Sequence, residues 1–350
     1  MITMIMSILK KINLLIRDFF RYLYFLINKG GFYKIFFLEN ENTYPYLAEI
    51  IKRNISRKKR ILIFSQDKNI KMKISLNLPI LILETNFFSE IFFLTLKAKY
   101  LISTTTDLDT STIFKKTLNK KCRYIYIQHS HIGLINGYRE KAFINFDAVQ
   151  IINKYQYEDM KEINKKYFKK IKRFKSSYYF IKFQRKQITY KDKHNILIAP
   201  TWGTDFYENN LHIDICNNLI NKNYNITFRP HPMTIKKNKY FLDELEKLKI
   251  QIDKNPIIYL GNFNNLISDW SGIIFEFYLI HNKKSFCINT SKKINNLKYE
   301  EFKSKPIEFD LRNNVSINYE INNWQEIFND LDKDNNNDND NDNNIKKNFY

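Results

Sequence analysis

The sequence predicts an α/β fold with parallel sheets. Short apolar runs of strand length alternate with amphipathic runs of helix length, which is typical of strands joined by covering helices. The alternation occurs twice, over residues 31–155 and again over residues 194–332. A chain of 350 residues suits two medium domains or one large one. We therefore expect two α/β domains over these two ranges.

Residues 1–30 predict an amphipathic helix. Lys10, Arg17 and Arg21 interrupt its apolar run, and no small-residue cleavage site follows, which argues against a signal peptide. The charges also argue against a spanning helix, which needs about 20 largely uncharged residues. At about 100° per residue the three basic residues fall on one narrow stripe, and large apolar residues cover the remainder. Such a helix suits a membrane interface or, alternatively, packing on the domain itself.

The first series contains four apolar runs that predict buried parallel strands, and two amphipathic runs that predict helices. The predicted strands are residues 60–65, 79–84, 100–104 and 123–127, and the predicted helices are residues 44–53 and 87–98. Residues 146–152 predict one further strand.

Two histidines, His129 and His131, directly follow the predicted strand 123–127. Catalytic groups in open α/β sheets gather at the carboxyl ends of the strands. A neutral histidine suits the role of general base near pH 7. Both residues are candidate bases, although a histidine in such a place can also be a polar residue satisfied by its neighbours.

The segment 156–193 is strongly basic and contains neither glycine nor proline. We expect a crossing helix and a loop between the two domains. Its lysines form either a solvated face or a surface for an anionic polymer or lipid headgroups.

Two strands of the second series end in polar turns. The run 195–200 precedes Thr201, and the run 225–228 precedes the RPHP motif, which contains Arg229 and His231. The prolines stiffen this loop, so the two side chains between them project from a fixed backbone. A guanidinium group binds phosphate through two hydrogen bonds, and an imidazole can protonate a phosphate oxygen.

Residues 256–280 predict an anion site. We expect a strand at 257–260 and a helix at 273–280, joined by a turn that contains Ser268, Asp269, Ser271 and Gly272. A serine N-cap satisfies a free N–H group of the first turn, and a glycine lets a ligand approach the backbone. Hydroxyl groups, free N–H groups and the positive end of the helix dipole together favour a bound phosphate. The alternative is an ordinary capped helix after a strand.

The last part of the chain completes the second series. Residues 286–289 predict a strand, residues 314–332 predict a closing helical region, and residues 333–350 form an Asn/Asp-rich tail that we expect to be disordered.

The composition points to an anionic partner. Lysine and arginine number 57 against 36 acidic residues, a formal net charge of +21. Phosphate-bearing substrates, an acidic membrane surface or nucleic acid would each fit this charge. No signature of RNA or DNA binding occurs, so we expect no nucleic acid partner. Cys122, Cys216 and Cys287 are widely spaced, which indicates a reducing cytoplasm, and no metal-ligand cluster occurs.

Three strand-end motifs occur in order: QHSHIG, then APTWG with RPHP, then SDWSG followed by Glu276. This ordered set resembles the CDP-glycerol glycerophosphotransferase family, which includes teichoic-acid primases and polymerases and capsule-synthesis proteins. The resemblance runs from about Tyr100 to Asp310. The chain departs from the family pattern at Ser130, where the family has tryptophan, and at Gly272, where the family has serine or threonine.

The resemblance implies a GT-B-like fold with two Rossmann-type domains facing across a cleft, an N-terminal acceptor domain and a C-terminal nucleotide-donor domain. It implies a transferase that moves glycerol phosphate or a similar polyol phosphate from a CDP-activated donor and releases CMP. The acceptor would be a hydroxyl group of a cell-surface glycan or lipid-linked acceptor. The reaction would need no metal and no cofactor. The enzyme would be cytoplasmic and peripherally attached to the anionic inner face of the membrane.

The resemblance also implies residue roles. His129 or His131 would be the general base, and the sequence leaves open which one acts. His231 would assist at the donor phosphate. The remaining candidates would bind the nucleotide donor: Thr201, Arg229, Ser268, Asp269, Ser271, Gly272 and Glu276.

Two other classes of function are compatible with the sequence. One is a GT-B glycosyltransferase that uses a nucleotide sugar, similar to a sialyltransferase, in capsule or lipooligosaccharide synthesis. The other is a non-catalytic module whose basic surface binds nucleic acid or an anionic glycan. The chemical bond in the product separates the two enzymes, and a binding module would form no product.

Overall fold

The computed structural model describes residues 2–28, 31–70, 78–107, 121–185, 194–203, 205–237, 240–255, 258–334 and 343–350. The chain divides into two compact units. The first unit contains Met1–His129, Lys141–Ile151 and Asn164–Ser176, and the second contains Ser130–Glu140, Ile152–Ile163 and Ser177–Tyr350. The chain therefore changes unit several times between residues 129 and 177, where the sequence suggested a single connecting segment.

The first unit is built on a seven-stranded parallel sheet with the strand order β3-β2-β1-β4-β5-β6-β7. The strands are β1 Phe32–Leu38, β2 Ile61–Ser65, β3 Ile80–Ile82, β4 Ala98–Ser103, β5 Arg123–Tyr126, β6 Ala148–Ile151 and β7 Lys172–Lys175. In the part of this unit that the structure describes, the bounded helices are Ile2–Asn28, Tyr44–Ser56 and Asn86–Leu94, with a 3₁₀ turn at Glu41–Thr43.

The central strands of this sheet are buried on both faces. Phe36 and Ile63 are fully buried in a cluster that also holds Leu47 and Ile51 of the helix Tyr44–Ser56. Helices that cover both faces of a parallel sheet leave no strand face in water, so such strands carry continuous apolar runs. This is why the sequence predicts β2 well.

The helix Ile2–Asn28 packs against the rest of the first unit through polar residues and through the rings of Tyr22 and Phe25. Asp18 is buried and accepts hydrogen bonds from the backbone N and the Oγ1 of Thr85, at 2.7 and 2.8 Å. Arg17 and Arg21 both pair with Glu84. The charged stripe of this helix therefore serves largely as a contact surface, because its salt bridges and hydrogen bonds are made to the unit itself.

The same helix leaves a long row of large apolar side chains exposed. They are Ile5, Met6, Ile8, Leu9, Ile12, Leu15, Ile16, Phe19, Phe20, Leu23, Tyr24, Leu26 and Ile27. Within the part of the chain that the structure describes, no helix combines the length and the apolar content needed to cross a membrane.

The second unit is built on a six-stranded parallel sheet with the strand order β10-β9-β8-β11-β12-β13. The strands are β8 Asn195–Ile198, β9 Asn225–Phe228, β10 Gln251–Ile252, β11 Asn265–Ser268, β12 Ser285–Asn289 and β13 Ser316–Glu320. The helices are Lys154–Lys166, whose last turn belongs to the first unit, Tyr179–Arg185, Asp205–Glu208, Leu211–Asn221, Pro232–Lys237, Tyr240–Lys247, Ile273–His281, Ile307–Asp310, Arg312–Val315, Ile327–Asp334 and Asn343–Lys346. Shorter 3₁₀ segments lie at Leu260–Asn262, Tyr299–Glu301 and Ile321–Glu326.

Both sheets contain the same doubly wound order. In each, the first strand of the unit lies in the middle, the next two strands extend to one side, and the later strands extend to the other. Ligands of such sheets bind beyond the carboxyl ends of the strands, at the point where the order reverses. In the second unit this point lies between β8 and β11, because these two strands are neighbours.

Several predicted elements differ from the structure. The strand expected at 257–260 is wrong: Leu260–Asn262 is a 3₁₀ turn, and the strand is Asn265–Ser268. Residues 256–257 lie outside the described residues. The region 314–332 is not wholly helical, because it contains β13.

Two expectations about poorly patterned segments also need correction. The segment 156–193 contains β7, which extends the first sheet, and the helix Tyr179–Arg185 of the second unit. Residues 343–350, expected to be disordered, form a short helix and an antiparallel bridge between Phe349 and Asn153. Residues 335–342 and 186–193 lie outside the described residues.

Candidate active site in the second unit

The ends of β8 and β11 are tied together by the predicted binding residues. Thr201 donates its backbone N–H to Oδ1 of Asp269 at 2.8 Å, and Ser268 donates its hydroxyl to the carbonyl of Ala199 at 2.7 Å. Ser268 and Asp269 are fully buried. These contacts fix the two strand ends at the point where the strand order reverses. The buried side chains of Ser268 and Asp269 therefore support the backbone of the site.

The RPHP loop follows β9 at the same edge of the sheet. Arg229 forms an ion pair with Asp253 at 2.8 Å, which holds the loop against the residues that follow β10. Nδ1 of His231 accepts a hydrogen bond from the backbone N of Met233 at 3.1 Å. A neutral His231 therefore carries its proton on Nε2, where it can donate to an oxygen of a ligand.

The turn after β11 leads into the helix Ile273–His281. The predicted N-cap at Ser271 is wrong: the cap position is Gly272, whose backbone is helical and which makes no side-chain cap hydrogen bond. The carbonyl of Ser271 instead accepts from the backbone N of Ile274 at 3.4 Å, so a turn precedes the helix.

Gly272 is closely approached by residues 130–140, which we call the histidine loop. A Cβ atom at this position would overlap the hydroxyl oxygen of Ser130 and lie 2.9 Å from a methyl group of Ile132. The glycine was expected to admit a ligand to the backbone. In the structure, the group that approaches it is the side chain of Ser130, next to His131.

The loop 130–140 belongs to the second unit and is held there by buried carboxylates. Gly133 donates its N–H to both oxygens of Glu308, at 3.0 and 3.1 Å, and Leu134 donates to Asp159 at 2.7 Å. The amide of Gln156 donates to the carbonyl groups of Ser130 and Ile132, at 3.3 and 3.0 Å. These contacts fix the backbone on both sides of His131.

His131 is 1% exposed and lies between two aromatic rings. Its ring centroid is 4.9 Å from that of Tyr178 and 5.0 Å from that of Phe349. Neither ring nitrogen has a hydrogen-bond partner among the residues that the structure describes. Burial lowers the pKa of His131 to about 3, so the imidazole is neutral at physiological pH.

Glu276 lies beside Tyr178, in the first turn of the helix Ile273–His281. Tyr178 donates its hydroxyl to Glu276 at 3.0 Å. Burial raises the pKa of Glu276 to about 8, although the Tyr178 hydrogen bond and the charge of Arg229 act in the opposite direction. The carboxyl group is therefore mostly protonated at pH 7 and does not repel an anion.

His129 is placed in the first unit, apart from His131. Its Nδ1 lies 3.0 Å from the hydroxyl of Tyr126, and its ring contacts that of Tyr46 with centroids 5.9 Å apart. The two histidines are separated only by Ser130 in the sequence but have different surroundings, so a single substitution at each position distinguishes their roles.

The structure thus brings most of the predicted residues to one edge of one sheet. Its polar network also includes Tyr178 and Glu308, and Lys293 lies near it; the sequence singled out none of the three. No motif contains them, and their contacts join positions far apart in the chain. Among the described residues, no group of three or more histidine, cysteine, aspartate or glutamate side chains could hold a metal ion.

A family model matches the centre of this unit. Residues 180–284 match the family described as CDP-Glycerol:Poly(glycerophosphate) glycerophosphotransferase. The matched segment includes Arg229, His231 and the turn from Ser268 to Gly272. It therefore supports the resemblance that the RPHP and SDWSG motifs carry.

Solved structures share the fold of the chain. The wall teichoic acid polymerase TagF, as a histidine-to-asparagine variant soaked with CDPG, matches with a TM-score of 0.51 and 14% identity, over 81% of this chain and 77% of that chain. A histidine-to-alanine variant of TagF matches with a TM-score of 0.50 and 16% identity, over 80% and 76%. No curated protein sequence matches the chain. The predicted fold class, two parallel-sheet α/β units of the GT-B-like kind, is confirmed.

Proposed function

From the match of residues 180–284 to the glycerophosphotransferase family, we propose a specific reaction for this CDP-glycerol glycerophosphotransferase-like enzyme. It transfers glycerol phosphate or a similar polyol phosphate from a CDP-activated donor to a hydroxyl group of a cell-surface glycan or lipid-linked acceptor. CMP is released. The observation that carries the proposal is the position of the matched motifs at the carboxyl ends of β8, β9 and β11.

In the proposed reaction the donor diphosphate lies at these strand ends. The acceptor oxygen attacks the phosphorus that bears the polyol, a new phosphodiester bond forms, and the bond to the phosphate of CMP breaks. His231 donates a hydrogen bond from Nε2 to a donor phosphate oxygen, which stabilises the charge that develops on the leaving group. The N-terminal end of the helix Ile273–His281 adds the positive end of its dipole.

The proton of the acceptor hydroxyl passes to His131 or His129. His131 is neutral, as a base must be, but its pKa of about 3 is too low for an efficient proton acceptor while Tyr178 and Phe349 enclose it. Contact with water or with an acceptor returns the pKa towards 6.5, the value that suits a base at neutral pH. If His131 is the base, the ring of Tyr178 or Phe349 therefore moves away from it before the proton is transferred.

The roles of the remaining residues follow from their contacts. Thr201, Ser268 and Asp269 position the strand ends, and Arg229 and the protonated Glu276 maintain a site that accepts negative charge. The reaction as proposed uses hydrogen-bond donors and positive side chains for phosphate binding, and requires neither metal nor cofactor.

The test of this proposal is CMP release from CDP-glycerol by a His231→Ala variant. Loss of one hydrogen-bond donor to the charge that develops on the leaving group lowers the rate by about 10²- to 10³-fold. His194→Ala is the matched control, because His194 is an exposed histidine just before β8, and we expect near wild-type turnover from it. CMP release by His231→Ala at the wild-type rate contradicts the assignment.

We also propose that the enzyme works at the inner face of the cell membrane, in the cytoplasm, where a lipid-linked acceptor and an anionic surface are both present. The support is the helix Ile2–Asn28, whose salt bridges are made to the first unit while its large apolar side chains stay exposed. Apolar side chains on an interfacial helix enter the headgroup region, and basic residues such as Lys10 and Lys11 attract anionic lipids.

A vesicle flotation experiment tests this location. With phosphatidylglycerol vesicles we expect the wild-type protein to float and an Ile12→Glu, Phe20→Glu double variant to stay in the soluble fraction. Leu297→Glu is the matched control, since Leu297 is 90% exposed and lies in the second unit. Equal flotation of the wild-type protein and the double variant contradicts a role of the helix in membrane binding.

A further inference from the structure

The loop after β12 carries a lysine to the strand ends of the second unit. The Nζ of Lys293 lies 5.4 Å from the centroid of the Trp202 ring, and Trp202 follows Thr201 at the end of β8. The ring of Trp202 is in turn 6.3 Å from that of His231. The ammonium group of Lys293 is therefore beside the residues proposed to contact the donor phosphates.

The loop is anchored at its first two residues, Thr290 and Ser291. The indole N–H of Trp270 donates to the carbonyl of Thr290 at 2.6 Å. Ser291 donates its backbone N–H and its hydroxyl to Asp205, at 2.9 and 2.7 Å. Because these contacts fix the loop two residues before Lys293, the lysine is presented to the site by an ordered backbone.

The carboxylates nearest to Lys293, Asp269 and Glu308, favour its charged form without contacting it. Lys293 makes no hydrogen bond and no ion pair with any residue that the structure describes. The nearby carboxylates are engaged elsewhere, since Asp269 accepts from Thr201 and Glu308 accepts from Gly133. The ammonium group is partly exposed, so phosphate oxygens can replace water as its hydrogen-bond acceptors.

We propose that Lys293 binds the diphosphate group of the nucleotide donor, with Trp202 as the surface on which its ammonium group rests when no ligand is bound. This assignment rests on the proposed function and adds a binding residue outside the matched family segment, which ends at residue 284. A lysine can direct three donors at phosphate oxygens, and a tryptophan face attracts the ammonium through its quadrupole.

The charge of Lys293 makes donor binding dependent on pH. Burial lowers the pKa of Lys293 to about 8, while Asp269 after β11 and Glu308 of the helix Ile307–Asp310 act to raise it. His231 faces the same Trp202 ring from the RPHP loop. Because the protonated amine binds phosphate, affinity is full below pH 8 and falls as the pH rises through 8.

Calorimetric titration with CDP tests the proposal. We expect Lys293→Met to weaken CDP binding by about 10- to 100-fold, as for loss of a hydrogen bond to a charged group, and Lys293→Arg to retain most of the affinity. Lys292→Met is the matched control: its ammonium lies 4.8 Å from the Phe309 ring centroid, and we expect it to bind CDP within about twofold of wild type. Thermal melting of each variant checks that it is folded.

A second series of titrations separates phosphate binding from a general disturbance of the site. Raising the pH from 7.5 to 9.5 should weaken CDP binding to the wild-type protein and leave the Lys293→Arg variant largely unchanged. Cytidine, which has no phosphate, should bind both Lys293→Met and wild type equally. CDP affinity that is the same in Lys293→Met and wild type, or an equal loss for CDP and cytidine, overturns the proposal.

The nucleotide that the wild-type protein binds shows which proposal fails, the CDP donor or the role of Lys293. If the wild-type protein binds UDP and not CDP, the CDP donor is wrong, and the same variants titrated with UDP still decide the role of Lys293. If it binds CDP and Lys293→Met does not differ, the role of Lys293 is wrong and the proposed donor stands.

Discussion

At the scale of single residues, the candidate site depends on side chains that hold other groups in place. Asp269 is fully buried and accepts the N–H of Thr201, and Ser268 donates to Ala199. Leaving a buried donor unpaired costs about 1–3 kcal/mol, so replacing Asp269 by alanine would disturb the strand ends before it affected any ligand. Their predicted roles as direct ligands stay predictions, whereas their structural contacts are clear.

Gly272 offers a sharper test, because a methyl group there would displace the side chains on both sides of His131. We expect Gly272→Ala to lower CMP release at least tenfold, since its Cβ would overlap the hydroxyl of Ser130 and crowd a methyl group of Ile132. Overpacking of this kind typically costs about 1–3 kcal/mol of stability, so the variant should still fold. Steady-state kinetics with CDP-glycerol gives the measurement.

Gly31→Ala is the control for this substitution. A Cβ at Gly31 makes only an ordinary contact, 3.5 Å from the carbonyl oxygen of Lys97, in the first unit. Turnover by Gly272→Ala that matches Gly31→Ala would show that the Ser130 contact does not position the site.

The residues of the site differ in how far the sequence reveals them. Arg229 and His231 could be predicted, because two prolines and a preceding apolar strand mark a stiff loop at a strand end. Glu308 could not, since it meets Gly133 across 175 positions of sequence and no motif marks either partner. The burial of His131 depends on such distant contacts, which is why the sequence could not choose between His129 and His131.

At the scale of elements, most strands with apolar runs were predicted, including β3 at the edge of its sheet, whereas β1 in the interior and the polar strands β7 and β13 were not. β9 is Asn225–Phe228, as its apolar pattern predicts. β7 (KRFK) and β13 (SINYE) lie at the edges of their sheets, where one side lacks a neighbouring strand and charged or polar residues are tolerated. β11 was missed for a different reason: its polar Asn265 and Ser268 resemble a turn, although both are buried.

Residues 343–350 cover the histidine loop. The backbone N of Lys154 donates to the carbonyl of Asn348 at 2.8 Å, and that of Tyr350 donates to the carbonyl of Ile152 at 2.9 Å. These bonds place the ring of Phe349 against His131. Residues 343–350, which the sequence assigned to a disordered tail, therefore help to shield the imidazole of His131 from water.

A Phe349→Ala substitution tests this cover. Loss of one enclosing ring admits water to His131, so its pKa should rise from about 3 towards the ordinary value of 6.5. NMR titration of the imidazole signals measures the shift. Phe168→Ala, at a side chain that is 95% exposed in the first unit, should leave the titration unchanged. A His131 that stays neutral at pH 5 in the Phe349→Ala variant would contradict this role of Phe349.

At the scale of the whole molecule, the chain contains two units built on the same doubly wound strand order. The sequence predicted this doubling because each series repeats the alternation of buried strands and amphipathic helices. It did not predict that residues 130–140 and 152–163 belong to the second unit, because the contacts that place them there are made by isolated polar side chains.

The charge of the molecule agrees with a phosphate-bearing substrate and an anionic surface. The formal net charge is +21, and an unpaired lysine lies at the strand ends of the unit that matches the transferase family. Net charge raises the local concentration of anions without selecting among them. Selection of the donor must therefore come from the strand-end loops.

The most direct test of the central claim is the identity of the bond in the product. We predict that the purified enzyme, given CDP-glycerol and a membrane extract as acceptor, releases CMP and forms a new phosphodiester that ³¹P NMR detects in the product. A protein that leaves CDP-glycerol intact and instead forms a glycosidic bond from a nucleotide sugar, such as a UDP-sugar or CMP-sialic acid, would contradict the account.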